Sequence, residues 1–138
     1  MTPAQALQYV LMAAKDEGVQ LTQTARVRLL YLTDLRAYRH GVRELSGLTW
    51  ERADHGPFNR SVGLLPRKVG VDRDDPTGYR DHALAVVSAY CRLSNDDLGT
   101  ICKGSAPMRK APKRGDWLDL SATSTNDLSA AVTAPGAG

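Results

Sequence analysis

The stretch Leu48-Thr-Trp-Glu-Arg-Ala-Asp-His-Gly-Pro-Phe-Asn-Arg-Ser-Val62 has the most specific residue order in the chain and lies between two segments of helical periodicity. Leu48, Trp50 and Arg52 alternate with Thr49, Glu51 and Ala53, a period of two that predicts a short extended segment. Gly56 supplies a free φ and Pro57 presets the φ of a first helical residue, so the order predicts a turn at Gly56-Pro57 and a helix from Pro57 onward. Asp54 and His55 stand just before it, where a short polar side chain caps freed amides. Phe58, Val62 and Leu65 continue at helical spacing, and Pro66 ends the element.

Working outward, Thr2-Pro3 is a helix start, with threonine as N-cap and proline at the first helical position. Leu7, Val10, Leu11 and Ala14 follow at helical spacing, and Gly18 closes the element. Thr22 begins a second helix whose apolar residues, Ala25 to Tyr38, go around much of the surface, which predicts a central position in the core. Arg26, Arg28, Asp34, Arg36 and Arg39 take what remains of that surface, and no specific pair for Asp34 follows from the spacing. Tyr79 to Leu93 has the cleanest helical pattern, and Ser94-Asn-Asp-Asp97 has capping-box spacing that opens a short helix carrying Leu98, Ile101 and Cys102. Trp117, Leu118 and Leu120 form a last apolar patch expected to pack back on the domain. The expected fold is mainly α: a compact helical domain of about five helices over residues 1–120, with a short extended segment before the Gly-Pro turn. Residues 121–138 are mostly Ser, Thr, Ala, Gly and Pro, a composition that predicts a disordered low-complexity tail.

At 138 residues, with 42% hydrophobic and 24% charged residues and a net charge of +3, the chain has the composition of one ordinary globular domain. It holds no apolar run long enough to cross a bilayer and no signal-peptide pattern at its start, so a cytoplasmic protein with no membrane partner is expected. Cys91 and Cys102 have neither a CxxC spacing nor paired histidines nearby, and are read as free thiols. The acid-rich loop from Asp72 to Gly78 lacks the central glycine and final glutamate of a calcium loop. His40, His55 and His82 are widely separated and fall in no ligand-spaced motif. No nucleophile, phosphate-loop or dinucleotide fingerprint occurs. Glu51, Asp54 and His55 come nearest to a catalytic set but lack a nucleophile, so no enzyme activity, catalytic residue, metal ligand or cofactor is expected.

The excess positive charge is local. Lys103, Arg109, Lys110, Lys113 and Arg114 fall within a short span with no acidic residue, and Gly104, Pro107 and Pro112 make that span read as a basic loop. A helix-turn-helix over Asp81 to Lys103 is the nucleic-acid alternative. Its second helix, however, starts with Asp96 and Asp97 and offers no Arg, Asn or Gln to read base edges. Nucleic acid is therefore not the expected partner.

The order of motifs from Leu21 through Arg28-Leu29-Leu30-Tyr31 and Trp50 to His55-Gly56-Pro57 resembles the Panacea domain, the SocA-like antitoxin family. In that family a Lys-Leu-Leu-Tyr helix is followed by an aromatic residue and a Tyr-Gly-Pro turn that opens the next helix. The acidic helix start after Leu93 and the proline-containing segment from Pro107 to Trp117 are similar too, and the resemblance covers about residues 4 to 120. Arg28 replaces the usual lysine and keeps its charge, whereas His55 replaces an aromatic hydroxyl. The resemblance implies a helical antitoxin of a type II toxin-antitoxin system, often carried by phages and other mobile elements. Such a protein neutralises a cognate toxin, commonly a translation inhibitor, by direct binding. One branch delivers its toxin to a protease, which makes a host protease a further implied partner. A DNA-binding transcriptional regulator and a proteolytic adaptor are the alternative functions. Trp50, His55, Phe58 and Arg60 at the turn, with Arg109, Lys110, Lys113 and Arg114, are the candidate partner-binding residues. Trp50 and Phe58 also suit the core, and a tryptophan beside a turn usually packs inward.

Overall fold

Five α-helices and one two-stranded antiparallel sheet make up the structure, a computed structural model that describes residues 1–72, 74–111 and 113–122. Helix α1 (Pro3–Asp16) begins with a capping box in which Thr2 accepts from the Gln5 amide and the Gln5 side chain accepts in return from the Thr2 amide. Helix α2 (Gln23–Arg39) is capped by Thr22 and is buried on nearly every side from Val27 to Ala37, as its broad apolar surface predicts. It packs against α1, α3 (Tyr79–Tyr90), α4 (Asn95–Lys103) and strand β2 (Gly56–Phe58), while α3 also lies along α1. One apolar cluster gathers residues from Ala6 to Met108, and Leu118 and Leu120 pack on its edge. The mainly helical fold is as expected. The low-complexity tail from residue 123 lies outside the described residues.

The central stretch corrects one expectation. Strand β1 (Glu51–Ala53) is extended as its alternation predicts, but the chain reverses at Asp54-His55, two residues earlier than the Gly-Pro pair. Gly56 to Phe58 then runs back as β2, with Glu51 opposite Phe58 and Ala53 opposite Gly56. Pro57 therefore sits in a strand and opens no helix. Its fixed φ and missing N–H suit the outer strand of a hairpin as well as they suit a helix start, and Gly56 takes φ +142°, which a side chain would strain. The expected helix is reduced to a 3-10 helix, Arg60–Leu64, capped by Asn59 accepting from the Ser61 amide at 2.8 Å. Asp54 and His55 are thus turn residues, not caps.

The span from Lys103 to Arg114 is also not one loop. Ser105 leads into α5 (Ala106–Lys110), where Pro107 fits because the first helical turn needs no amide from it, and Ala106, Pro107 and Met108 are buried. Residues 115–118 then run antiparallel to β1, with Leu118 N donating to Trp50 O at 2.8 Å and Arg52 N to Asp116 O at 2.8 Å. Leu118 and Leu120 pack back as expected, whereas Trp117 is 69% exposed. The acid-rich loop caps a helix: Asp75 accepts from the Arg80 amide at 2.6 Å and from Thr77, so it fixes the start of α3.

Two charged residues of α2 lie where the surface pattern did not place them. Asp34 is 1% exposed and accepts from Ser46 N (3.0 Å), Ser46 Oγ (2.5 Å), Trp50 Nε1 (3.0 Å) and Tyr79 Oη (2.7 Å). One carboxylate thereby ties α2 to the connection before β1, to β1's lead-in and to α3. Arg28 is 8% exposed on the other side of the same helix.

Candidate functional site

Arg28 leaves α2 toward the hairpin, where its Nη2 donates to His55 O at 2.7 Å, and toward α4, where its Nη1 donates to Asn95 O. The two motif segments Arg28-Leu29-Leu30-Tyr31 and His55-Gly56-Pro57 are therefore in direct contact. Glycine makes room for the guanidinium on both sides. A Cβ at Gly56 would lie 3.5 Å from Arg28 Nε, and one at Gly99 would lie 3.1 Å from Nη1 and 3.2 Å from Cζ. Among the described residues Arg28 has no carboxylate partner; its bonds go to neutral carbonyl oxygens.

Above this guanidinium opens a cleft of about 730 Å³ between the hairpin, the start of α2, the 3-10 helix and α4. His55, Phe58, Arg60 and Arg114, four of the candidate residues, line it together with Arg28, Asp96 and Lys103. Phe58 is 40% exposed, and Arg60 and Lys103 have no acidic partner among the described residues. Arg114 meets Asp54 at 3.3 Å, and both line the cleft; the pair is exposed, so it adds little to stability. Asp96 lies in the first turn of α4, whose N-cap Ser94 accepts from the Asp97 amide at 3.1 Å. Positive charge dominates the cleft, with acids interspersed.

The other candidates fall elsewhere. Trp50 is 2% exposed, sits edge-on to Tyr31 at 5.7 Å and donates to Asp34, so its place is in the core beneath the sheet. Period-two alternation puts Trp50 and Arg52 on the inner face and Glu51 and Ala53 on the outer one. Arg109 and Lys110 are exposed on α5, and Lys113 is exposed beyond it, none of them lining the cleft. The basic run is thus divided: Lys103 and Arg114, its ends, reach the site, and its middle does not.

Residue patterns gave no sign of two further features. Glu51 stands opposite Phe58 on one side and opposite Trp117 on the other, so directly paired positions align Trp117, Glu51 and Phe58 on the outer face of the sheet. His40 and His82, far apart in sequence, bring their rings to 4.9 Å. Burial, then the charge of His40 and of Arg36, holds His82 below its ordinary value. Among the described residues no cluster of three or more His, Cys, Asp or Glu side chains is placed to hold a metal ion, and no helix is long and apolar enough to cross a membrane. Comparison with protein-family models, curated proteins and solved structures finds no match to this chain.

Proposed function

We propose that this protein acts by binding another protein in the cleft between the hairpin and α4, and that the partner is a cognate toxin which the binding neutralises. The observation that carries the binding reading is the composition of that cleft. A solvent-facing aromatic ring, Phe58, stands beside cations with no acidic partner among the described residues, on a wall built by a β-hairpin and two helices. An apolar anchor ringed by charge is the usual make-up of a protein-binding surface. The toxin as occupant rests on the resemblance of the motif order to Panacea antitoxins, and the same resemblance supports action in the cytoplasm without catalysis or a cofactor. Against a DNA-binding regulator, α4 presents Asp96 and Asp97 in its first turn, where they repel phosphate.

The test is co-expression of the full chain with the product of the adjacent gene, scoring growth rescue and co-purification together. Rescue with a stable complex is the expected result. Rescue with disappearance of the toxin, abolished in a protease-deficient host, would replace neutralisation by binding with delivery to a protease. A neighbour that is not toxic, together with no rescue, would remove the antitoxin reading.

A further inference from the structure

We infer that the cleft receives an acidic segment of the protein partner, with Arg28 as a fixed positive charge in its wall; this rests on the binding reading above and adds the chemistry of what is bound. An arginine residue only 8% exposed is an uncommon thing for a fold to keep without a counter-charge, because burial strips it of water and carbonyl oxygens return only part of that solvation. Here the fold keeps two glycines beside it, Gly56 and Gly99, and among the described residues supplies no carboxylate. A low-dielectric wall also focuses the charge into the cleft it borders. Arg60 and Lys103 add exposed cations to the lining, and neither has an acid of its own among the described residues. The balanced arrangement is completed by carboxylates brought from outside.

Protein carboxylates fit better than a phosphate backbone. A nucleic acid presents evenly repeated charge, and Asp54 and Asp96 in the same wall would face some of it. A peptide segment places its acids singly, opposite Arg28, Arg60 and Lys103, and can set a neutral residue against Asp96. Phe58 beside these cations selects a segment in which an apolar side chain lies next to the acids.

Amide and Arg28 side-chain NMR shifts of the full chain, titrated with a blocked peptide of alternating aspartate and leucine, test this. Parallel titrations use the asparagine-leucine analogue, inorganic phosphate and oligothymidylate. The aspartate peptide is expected to shift Gly56, Asn95, Gly99 and the Arg28 side chain, and the asparagine analogue to leave them in place. The Arg60→Glu and Lys103→Glu double variant, whose changes are both on exposed side chains, is expected to weaken that binding about tenfold or more. Arg28→Lys, which keeps charge but loses the planar fork, is expected to weaken it as well. The inference is overturned if the aspartate peptide leaves these signals unmoved, if the neutral analogue shifts them equally, or if phosphate or oligothymidylate does so at lower concentration. Growth rescue that survives the double variant, with no peptide binding, sinks the acidic-segment assignment and leaves the antitoxin reading standing. Charge-dependent peptide binding without rescue by the neighbouring gene supports the receptor site and removes the antitoxin.

Discussion

Asp34 is the hub of one buried polar network, because four donors from three separate segments converge on its two oxygens. Asp34→Asn turns one acceptor into a donor facing donors, and is expected to cost about 1–3 kcal/mol in urea unfolding. Burial holds the Asp34 carboxyl above its ordinary value of 3.8, against the pull of Ser46, Trp50 and Tyr79. A group raised in the folded state contributes most when protonated, so this contribution is complete below the ordinary value and is lost as pH rises through the folded one. The stability gap between wild type and Asp34→Asn should thus be widest near about pH 3 and narrow toward about pH 7. A gap that widens with pH would mean that the donors outweigh burial. The thiols give a second prediction at this scale. Burial pushes Cys102 up to about 12 and raises Cys91 as well. Neither should react with an aromatic disulfide reagent in native buffer at neutral pH, and both should react in denaturant. A thiol that reacts rapidly in native buffer would show that the core opens far more easily than this packing implies.

Between elements, the contact of α2 with α4 turns on Gly99. Alanine inside a helix is ordinarily favoured over glycine by about 1 kcal/mol. At position 99 the added methyl would press on a guanidinium that two hydrogen bonds keep in place. Gly99→Ala is therefore expected to destabilise by about 1–2 kcal/mol in chemical unfolding. The loss should shrink when Arg28→Ala is added, and a stabilised single variant would show that the guanidinium swings aside freely. At this scale the sequence was legible wherever a signal is local. Thr2 and Thr22 announced their helices, the alternation from Leu48 to Ala53 announced β1, and Ser94 announced α4. The Gly56-Pro57 pair misled because a glycine's free φ and a proline's fixed one suit a strand and a helix start equally well, and only pairing with Glu51 to Ala53 decides between them. Arg28 and Asp34 were unreadable for a related reason: the groups that make their burial tolerable, His55 O, Asn95 O, Ser46 and Tyr79, lie far along the chain. Three of the four candidate site residues came together because the hairpin carries His55 and Phe58 and the 3-10 helix that follows it begins with Arg60, whereas α5 carried Arg109 and Lys110 away.

Across the whole molecule, the hairpin joins the helical body to the last described segment, alongside Arg39 of α2, whose Nη2 donates to Ala122 O at 2.8 Å. Arg52 holds both sides, its backbone pairing with Asp116 and Gly115 and its side chain donating to the carbonyls of Met108 and Ala111 at the end of α5. Arg52→Ala leaves the backbone pairing but removes the side-chain tie, and is expected to speed hydrogen exchange at Gly115 and Leu118 by about tenfold while α1 to α3 stay protected. Equal acceleration in both regions would show that the segment is part of one cooperative unit with the core. The strand pairing also separates the two tryptophans of the chain into opposite surroundings. Trp50 is sealed in with its indole N–H on a carboxylate, and Trp117 stands in water in line with Phe58, which borders the cleft. The protein therefore carries two indole fluorophores in distinct surroundings. Blue-edge emission from Trp50 is expected to report unfolding and red-edge emission from Trp117 to report changes on the outer face of the sheet, so the choice of wavelength would separate the two signals without a label.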